Sequence, residues 1–415
     1  MRIAIIGTGI SGLTAARALA QVHDVTVFEA ADRPGGHTNT VRVDLGDETH
    51  EVDTGFIVFN EPNYPRFTRL LDELHIETAA TEMSFSVTDE RSGVVWSGKF
   101  PGGVFAQRRN ALRPAFWRML VDVTRFNRRA RQILESRSHP DVSLEELLAG
   151  GRWSSEFVNW YLVPLGAAIW SANPATFTRY PADSFARFFD NHGLLHLRGS
   201  LQWRTIPGGA RRYVDAIVRP LGTRLRTATP IEKIVRRQDE VELYVSGIGP
   251  ERFDHVVVAT HSDQALGLLS DPSPSERAIL GAFRYQPNTA VLHTDERMLP
   301  PVQRAWASWN YHRPTEDVEV AAVTYHMNRL QNIRSRHQIC VTLNRVDEIA
   351  PDAVLATIPY SHPVFDRAAV AAQQRHSEIS GQGRTSYCGA YWGYGFHEDG
   401  VASAQRVCAD LGVRW

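Results

Sequence analysis

The N-terminal stretch constrains the fold more than any other part of the chain. A short apolar run at 2–6 predicts a buried strand, an Ala/Leu-rich stretch at 13–20 predicts a helix, and 25–28 predicts a second strand. The first strand and the helix are joined by Gly7-Thr8-Gly9-Ile10-Ser11-Gly12, and the second strand ends at Glu29. These segments follow the order of the dinucleotide-binding βαβ fingerprint, which is a strand, a glycine turn, a helix, a second strand and an acidic residue.

Each part of this fingerprint has a physical role. The glycines allow a tight turn and a close approach of the backbone to a pyrophosphate, and the helix N-terminus offers unpaired N–H groups and the positive end of the helix dipole. Glu29 can accept hydrogen bonds from ribose hydroxyls. The candidate cofactor contacts in this unit are Gly7, Gly9, Ile10, Ser11, Gly12 and Glu29. We therefore expect a dinucleotide site here, with a purely structural turn as the alternative.

Composition limits the classes of protein to consider. The chain has 415 residues, of which 43% are hydrophobic, and this suffices for two or more domains of about 150 residues each. Its net charge of −1 gives no general attraction to nucleic acid. Cys340, Cys388 and Cys408 form no CxxC pair, which indicates a reducing cytosol without metal or disulfide chemistry. No apolar run is long enough for a transmembrane helix, and the apolar N-terminus belongs to the nucleotide unit rather than to a signal peptide.

The residues after Glu29 carry a resemblance to a known family. Ala30-Ala31-Asp32-Arg33-Pro34-Gly35-Gly36-His37 resembles the second signature of the FAD-dependent amine oxidase and phytoene desaturase superfamily. Further similar stretches are Asp53-Thr54-Gly55-Phe56, Ile206-Pro207-Gly208-Gly209, Ala259-Thr260-His261-Ser262-Asp263 and Gly393 to Gly400. The resemblance implies FAD rather than NAD, and an α/β fold with a Rossmann-like FAD-binding domain (amine oxidase fold) and an inserted α+β substrate domain.

The resemblance also implies cofactor contacts far along the chain. Gly35 and Gly36 let the backbone run close to the cofactor, and Arg33 can meet a phosphate. The last glycine-rich loop leads into a helix that starts near Asp399, and its N–H groups suit the electron-rich end of the flavin pyrimidine. Beyond the fingerprint, the implied contacts are Ala30, Arg33, Gly35, Gly36, His37, Thr38, Thr54, Gly55, Phe56, Ile234, Ala259, Thr260, His397, Asp399, Gly400 and Val401.

The order of strands and helices predicts two discontinuous domains. The expected FAD-binding domain consists of 1–60, 200–284 and 380–415, and the expected substrate domain consists of 61–199 and 285–379. Strands expected to form the floor of the substrate pocket lie at 289–293, 305–311, 321–327 and 339–343. The segment 246–250 predicts a hairpin turn and not a second nucleotide unit, so the flavin must be reduced by its own substrate.

The helical part at 107–200 is rich in aromatic residues. Between 112 and 134, apolar residues that include Leu112 recur at helical spacing. The opposite face carries Arg113, Arg118, Arg125, Arg128, Arg129 and Arg131, with Asp122 as the main acid. Such a basic amphipathic helix, with Trp117 near its start, can lie on an anionic membrane, although an ordinary solvated helix is the alternative. The aromatic residues indicate an apolar tunnel or, equally, a plain hydrophobic core.

Lysine content separates two reaction classes. Amine oxidases of the superfamily usually place a late lysine against the flavin, whereas the only lysines here are Lys99 and Lys233. The lack of a late lysine makes oxidation of a C–N bond the less favoured interpretation and favours desaturation of a C–C bond. Desaturation needs a hydride acceptor, a base and an apolar channel. His397 and Tyr391 are the catalytic candidates, with His192, Tyr161 and His326 in reserve. His397 in a merely structural role, capping the last helix or contacting the flavin, is the alternative.

The whole chain resembles one branch of the superfamily, the flavoprotein partners of cyclopropane-type fatty-acyl methyltransferases. The branch includes the methylated fatty acid desaturase of furan fatty acid biosynthesis. The resemblance implies conversion of a methyl-branched acyl chain of a phospholipid to a diene, in the cytoplasm, peripheral to the inner face of the membrane and in association with a methyltransferase. Two alternatives stay open, an oxidase of amines or other small substrates and a non-catalytic flavin-binding companion of the methyltransferase.

Overall fold

The computed structural model describes residues 1–98, 102–135, 142–195, 201–316 and 318–415. Its strands are β1 (Arg2–Ile6), β2 (Asp24–Phe28), β3 (Thr40–Asp44), β4 (Thr49–Asp53), β5 (Ala79–Thr81), β6 (Phe85–Asp89), β7 (Val94–Ser97), β8 (Trp203–Thr205), β9 (Leu225–Arg226), β10 (Ile231–Arg236), β11 (Val241–Val245), β12 (Gly249–Phe253), β13 (His255–Val258), β14 (Arg284–His293), β15 (Trp309–Arg313), β16 (Ala322–His326), β17 (Cys340–Leu343), β18 (Val354–Val364) and β19 (Thr385–Tyr387).

The helices are α1 (Ile10–Leu19), α2 (Pro65–Glu73), α3 (Pro114–Glu135), α4 (Leu144–Ala149), α5 (Ser155–Phe157), α6 (Val163–Trp170), α7 (Ala182–Asn191), α8 (Arg211–Leu221), α9 (Ser262–Leu268), α10 (Pro274–Leu280), α11 (Met327–Leu330), α12 (Arg367–Gln373) and α13 (His397–Asp410). A π-helical turn at Val158–Leu162 joins α5 to α6, and a 3₁₀ turn at Arg108–Leu112 precedes α3. Within the described parts of the chain, none of the helices combines the length and apolar character needed to cross a bilayer.

A five-stranded parallel sheet forms the centre of the nucleotide unit. Its strand order is β19-β13-β1-β2-β9, and Ile5 of β1 lies between Val257 and Val27 of its neighbours. Because such a sheet is covered on both faces, its strands are continuous apolar runs, and Ile3 to Ile5 are fully buried. The predictions of the strands at 2–6 and 25–28 are confirmed.

A seven-stranded sheet forms the second layer, in the order β18-β14-β17-β16-β15-β6-β7. All neighbouring pairs are antiparallel except β15 with β6. The strands expected at 289–293, 321–327 and 339–343 are confirmed as β14, β16 and β17, but the strand expected at 305–311 is wrong at its start, because β15 begins at Trp309. A separate three-stranded antiparallel sheet, β10-β11-β12, confirms the hairpin predicted at 246–250. The predicted domain boundaries stay a prediction.

Helix α3 and its neighbours α5 to α7 form a helical layer. Buried residues of α3 include Phe116, Phe126 and Ile133, so most of the predicted apolar face is confirmed. Leu112 does not belong to it; it lies in the preceding 3₁₀ turn and is 87% exposed. The expectation that Asp122 lies on the solvent face is wrong, because the residue is buried. Its carboxylate pairs with Arg125 and accepts the N–H of Ser154, and these contacts compensate for its burial.

Candidate active site

The turn after β1 leaves an open space beside its backbone. A Cβ on Gly12 would lie 2.0 Å from the carbonyl oxygen of Gly7, and Gly7 itself has a φ of +99°, so this turn requires glycine at both positions. In contrast, a Cβ on Gly9 would meet nothing within 4 Å. The N-terminus of α1 has no side-chain cap and no acid in its first turn. The first N–H groups of the helix, beginning at Ile10, are therefore free to bind an anion.

A second glycine turn lies against the first. A Cβ on Gly36 would be 3.1 Å from the Cα of Gly9, and the N–H of Gly35 donates to the carbonyl oxygen of Thr8 at 3.1 Å. The guanidinium of Arg33 donates to the carbonyl oxygens of Gly36 at 3.1 Å and of Thr38 at 3.4 Å. Arg33 thus holds this turn in place, and its contact with a phosphate stays a prediction.

Glu29 closes the same edge of the sheet. Its carboxylate accepts the N–H of Thr8 and the N–H of Ala31, each at 2.9 Å, and also the hydroxyl of Thr8. Ala30 beside it is exposed. Glu29 therefore lies next to the glycine turn, as the fingerprint requires, and its bond to a ribose stays a prediction.

The stretch Asp53-Thr54-Gly55-Phe56 is in direct contact with the second glycine turn. A Cβ on Gly55 would lie 2.1 Å from the carbonyl oxygen of His37, and the N–H of Phe56 donates to that oxygen at 3.0 Å. The hydroxyl of Thr54 donates to the carbonyl oxygen of Asn39 at 3.0 Å. The structure thus brings together the predicted cofactor contacts at 35–38 and 54–56.

His397 is held in a buried polar contact at the start of α13. Its ring stacks on Phe56 with centroids 3.6 Å apart, and its Nε2 lies 3.0 Å from the hydroxyl oxygens of both Thr38 and Tyr213. Burial lowers the pKa of His397 to about 3, so the ring is neutral near pH 7. Sequence reasoning did not identify Tyr213, because no motif marks it. The role of His397 in moving a proton stays a prediction.

Tyr391, the other catalytic candidate, lies in a different cluster. It is 3% exposed, and its ring is 5.0 Å from those of Phe283 and Trp392. Burial raises its pKa well above 10. The structure does not place it beside His397, and its catalytic role stays a prediction.

The three reserve candidates are also dispersed. His192 stacks on Phe188 at 3.9 Å, and burial lowers its pKa to about 4. Tyr161 stacks on Phe157 in the helical layer. His326 is buried at the end of β16, where its Nε2 lies 2.7 Å from the amide oxygen of Gln338.

The N-termini of α13 and α1 meet at Gly400. A Cβ there would lie 2.6 Å from the Cγ2 of Ile10 and 2.9 Å from the Oγ of Ser11. The last helix therefore contacts the fingerprint helix at the glycine turn, with Val401 fully buried beside it. Asp399 accepts the N–H of Phe396 at 2.9 Å, and burial raises its pKa to about 6.

Two further predicted contacts lie beside the first turn. The carbonyl oxygen of Ala259 would be 3.0 Å from a Cβ on Gly7, and Thr260 follows it. Ile234 is instead fully buried in β10, where its carbonyl oxygen accepts the N–H of Ser270. Its part in holding the cofactor stays a prediction.

A group of histidine and tyrosine rings surrounds His37. Its ring centroid is 4.9 Å from that of Tyr360, 5.5 Å from His362 and 5.7 Å from His261. Burial is the main cause that lowers the pKa values of all three histidines, so they are neutral near pH 7. Tyr360 and His362 belong to β18, and sequence reasoning missed them because it did not predict that strand.

A cluster of aromatic residues lies between the seven-stranded sheet and the helical layer. Phe85, Tyr161, Trp309 and Tyr325 are all partly exposed and pack against one buried cluster. Burial raises the pKa values of Tyr161 and Tyr325 to about 12.

A cleft opens nearby, beside the loop that leads into α13. Its volume is about 380 Å³, and its lining includes Tyr180, Arg187, Trp392 and Tyr394. Phe188 of α7 contacts both Tyr394 and Phe396, with ring centroids 5.7 and 5.4 Å apart. Aromatic contacts thus continue from the cleft to the first residues of α13.

Comparison with known proteins adds independent findings. The profile of the family described as flavin containing amine oxidoreductase matches residues 10–306. A Mycobacterium tuberculosis protein that carries the name flavin-containing monoamine oxidase AofH is 27% identical over 289 residues, which are 65% of this chain and 59% of that protein. The chain thus spans less than two thirds of the length of this relative.

Solved structures share the fold over nearly the whole chain. Cyclohexylamine oxidase from Brevibacterium oxydans has a TM-score of 0.67 at 18% identity and covers 99% of this chain and 98% of its own. The CLA-producing fatty acid isomerase from P. acnes has a TM-score of 0.71 at 16% identity and covers 99% of both chains. The expected amine oxidase fold of mixed α/β content is confirmed.

Proposed function

The chain belongs to the family of flavin containing amine oxidoreductases, and from that premise we propose that it desaturates a methyl-branched fatty acyl chain of a phospholipid. The reaction breaks two C–H bonds of a monoene and forms one new C=C bond, giving a diene. FAD, when bound, would supply the acceptor for one hydrogen as hydride, and the other hydrogen would leave as a proton. The protein then has to hold the cofactor, align the chain and accept the proton.

The residues around the two glycine turns fit FAD. A cradle for a pyrophosphate is formed by three features: the open position beside Gly9, the facing turn at Gly36 and the uncapped start of α1. A Cβ at Gly12 or Gly55 would collide with a backbone oxygen and so displace the turns that form the site. Glu29 lies at the right edge for the ribose.

The partly exposed aromatic cluster between the seven-stranded sheet and the helical layer is the observation that carries the proposal. Phe85, Tyr161, Trp309 and Tyr325 offer an apolar surface, which suits an acyl chain better than a cation. Lys233 lies exposed on β10 in contact with the ring of Tyr244, and Lys99 lies outside the described residues. No lysine follows Lys233 in the sequence.

His397 is the proposed proton acceptor. Its ring is neutral near pH 7, and its Nε2 already contacts two hydroxyl groups that can pass a proton onward, those of Thr38 and Tyr213. The low pKa makes His397 a weak base. Its effect on the reaction rate would therefore come mainly from being held close to the C–H bond that loses the proton.

Product analysis tests the reaction. Purified protein with bound FAD is incubated with a phospholipid that carries a methyl-branched monoenoic chain, and the lipid is examined by mass spectrometry. We expect a product lighter by two hydrogen atoms, and none from a phospholipid with unbranched saturated chains. An unchanged branched lipid would refute the proposal.

Amine oxidation is the second candidate. It is favoured by the names of the Mycobacterium tuberculosis relative and of the Brevibacterium oxydans enzyme. The fatty acid isomerase from P. acnes shares the same fold, so the fold itself does not decide between them. Peroxide formation from cyclohexylamine or putrescine would support amine oxidation. A flavoprotein that is reduced by neither lipid nor amine and copurifies with a methyltransferase would support the companion role.

A further inference from the structure

We propose that the outer face of α3 and the turn before it dock on an anionic membrane surface. The docking face is defined by Leu112, Trp117, Val121, Arg128 and Arg129. The docking is inferred from this surface alone, and its use in delivering an acyl chain rests on the proposed function.

Exposed apolar side chains are concentrated on this face. Leu112, Trp117 and Val121 are 87%, 49% and 56% exposed, and they lie within ten residues of one another. Elsewhere in the described parts of the chain, large exposed hydrophobic residues occur singly, as at Val22 and Ile248. Scattered apolar residues need no explanation, but a contiguous group indicates an interaction surface.

The docking face is held in place by contacts beneath it. The indole N–H of Trp117 donates to the carbonyl oxygen of Ala111 at 2.9 Å, and its ring lies 5.6 Å from that of Phe105. With its only polar group satisfied by the backbone, the remaining indole surface can enter an apolar medium without losing a hydrogen bond. Val121 follows one helical turn later on the same side.

Positive charge surrounds the apolar residues. Eight arginines lie between 108 and 135, against only Asp122 and Glu135. Asp122 is already paired with Arg125, and Arg118 is paired with Glu156. Arg128 and Arg129 are exposed and make no ion pair with any residue that the structure describes. The face therefore carries free positive charge although the chain as a whole has a net charge of −1.

An anionic bilayer fits this combination. Arginines reach the phosphates while tryptophan and aliphatic side chains enter the boundary between headgroups and acyl chains. The face is also on the outer side of the helical layer, since Phe126 on the inner side of α3 contacts Phe157 and Phe185. The same layer contributes Tyr161 to the aromatic cluster, so docking would bring that cluster toward the lipid.

Vesicle sedimentation tests the docking. The full-length holoprotein is mixed with vesicles of equal parts phosphatidylglycerol and phosphatidylcholine, or of phosphatidylcholine alone, all with unbranched chains that are not substrates. We expect the protein to sediment with the anionic vesicles and much less with the neutral ones. Arg128→Glu with Arg129→Glu, and separately Trp117→Ser with Val121→Ser, should each weaken binding at least tenfold.

Matched variants control for charge and apolar surface. Arg219→Glu with Arg406→Glu makes the same charge change at exposed sites on α8 and α13, and Val22→Ser with Ile248→Ser removes apolar groups that are each 64% exposed. Both should sediment like the wild type. Absence of wild-type binding to anionic vesicles, or undiminished binding by either α3 variant, would overturn the docking face. Because detergent-dispersed substrate needs no docking, its turnover reports separately on the proposed reaction.

Discussion

At the scale of single residues, the proposed role of His397 as proton acceptor rests on its contact with Thr38 and Tyr213. His397→Phe keeps a ring on Phe56 but removes Nε2, so we expect the rate of flavin reduction by lipid to fall about a hundredfold or more. Stability should also fall by about 1–3 kcal/mol, since two buried hydroxyls lose a partner. Stopped-flow absorbance measures the rate, and chemical denaturation measures the stability.

Tyr213→Phe is the matched control for this residue. It removes one hydroxyl from the same buried contact and leaves the imidazole in place. We expect a similar loss of stability and a much smaller loss of rate. Equal losses of rate in the two variants would contradict a role for His397 as the proton acceptor.

At this scale, sequence reasoning predicted the residues of the first glycine turn, because a strand–turn–helix unit imposes a local sequence pattern. Gly7, Gly9, Gly12 and Glu29 were predictable because strand, turn and helix follow one another directly. Tyr213 and Tyr360 were not, because they reach the site through α8 and β18, far along the chain. Only tertiary packing brings such residues to the glycine turns.

At the scale of elements, the contact between α1 and α13 couples the two ends of the chain. Gly400→Val would push its new side chain into Ile10 and Ser11, so we expect it to displace α13, weaken FAD binding and cost about 1–3 kcal/mol of stability. Ala402→Val adds the same kind of side chain at a half-buried position of the same helix and should cost less. Flavin titration and denaturation measure both effects. Normal FAD affinity in Gly400→Val would contradict this contact as a support of the site.

Hydrophobic periodicity predicted most strands and helices. The main element that it missed is strand β18, and this failure has a physical cause. Buried parallel strands and the amphipathic α3 follow from apolar runs and from helical spacing. Strand β18 was missed because Pro359 and Pro363 interrupt its pattern. Proline cannot donate to a neighbouring strand, and β18 tolerates it because it lies at the edge of the seven-stranded sheet.

At the scale of the whole molecule, buried histidines make stability depend on pH. Burial lowers the pKa values of His192, His255, His293 and His362 to about 4 and that of His397 to about 3. The unfolded chain binds these protons near pH 6.5, so folding loses stability as the pH falls from about 6.5 to 4.

Two buried acids oppose this trend. Burial raises the pKa of Asp53 to about 7 and that of Asp399 to about 6, so the native state keeps their protons and gains stability at low pH. Among these groups the five histidines outnumber the two acids, so together they take up a net of about three protons on unfolding at pH 5, and the lowered pKa values of His37 and His261 add to that uptake. Denaturation at pH 7 and pH 5 measures this, and equal or greater stability at pH 5 would contradict it.

The central claim is that a flavin bound at the glycine turns is reduced by a branched acyl chain. Anaerobic mixing of the yellow holoprotein with a dispersed, methyl-branched monoenoic phospholipid tests it directly, with flavin absorbance as the readout. The account predicts that the lipid bleaches the flavin and that cyclohexylamine and putrescine do not. A flavin that is bleached by the amines and stays oxidised with the lipid would contradict it.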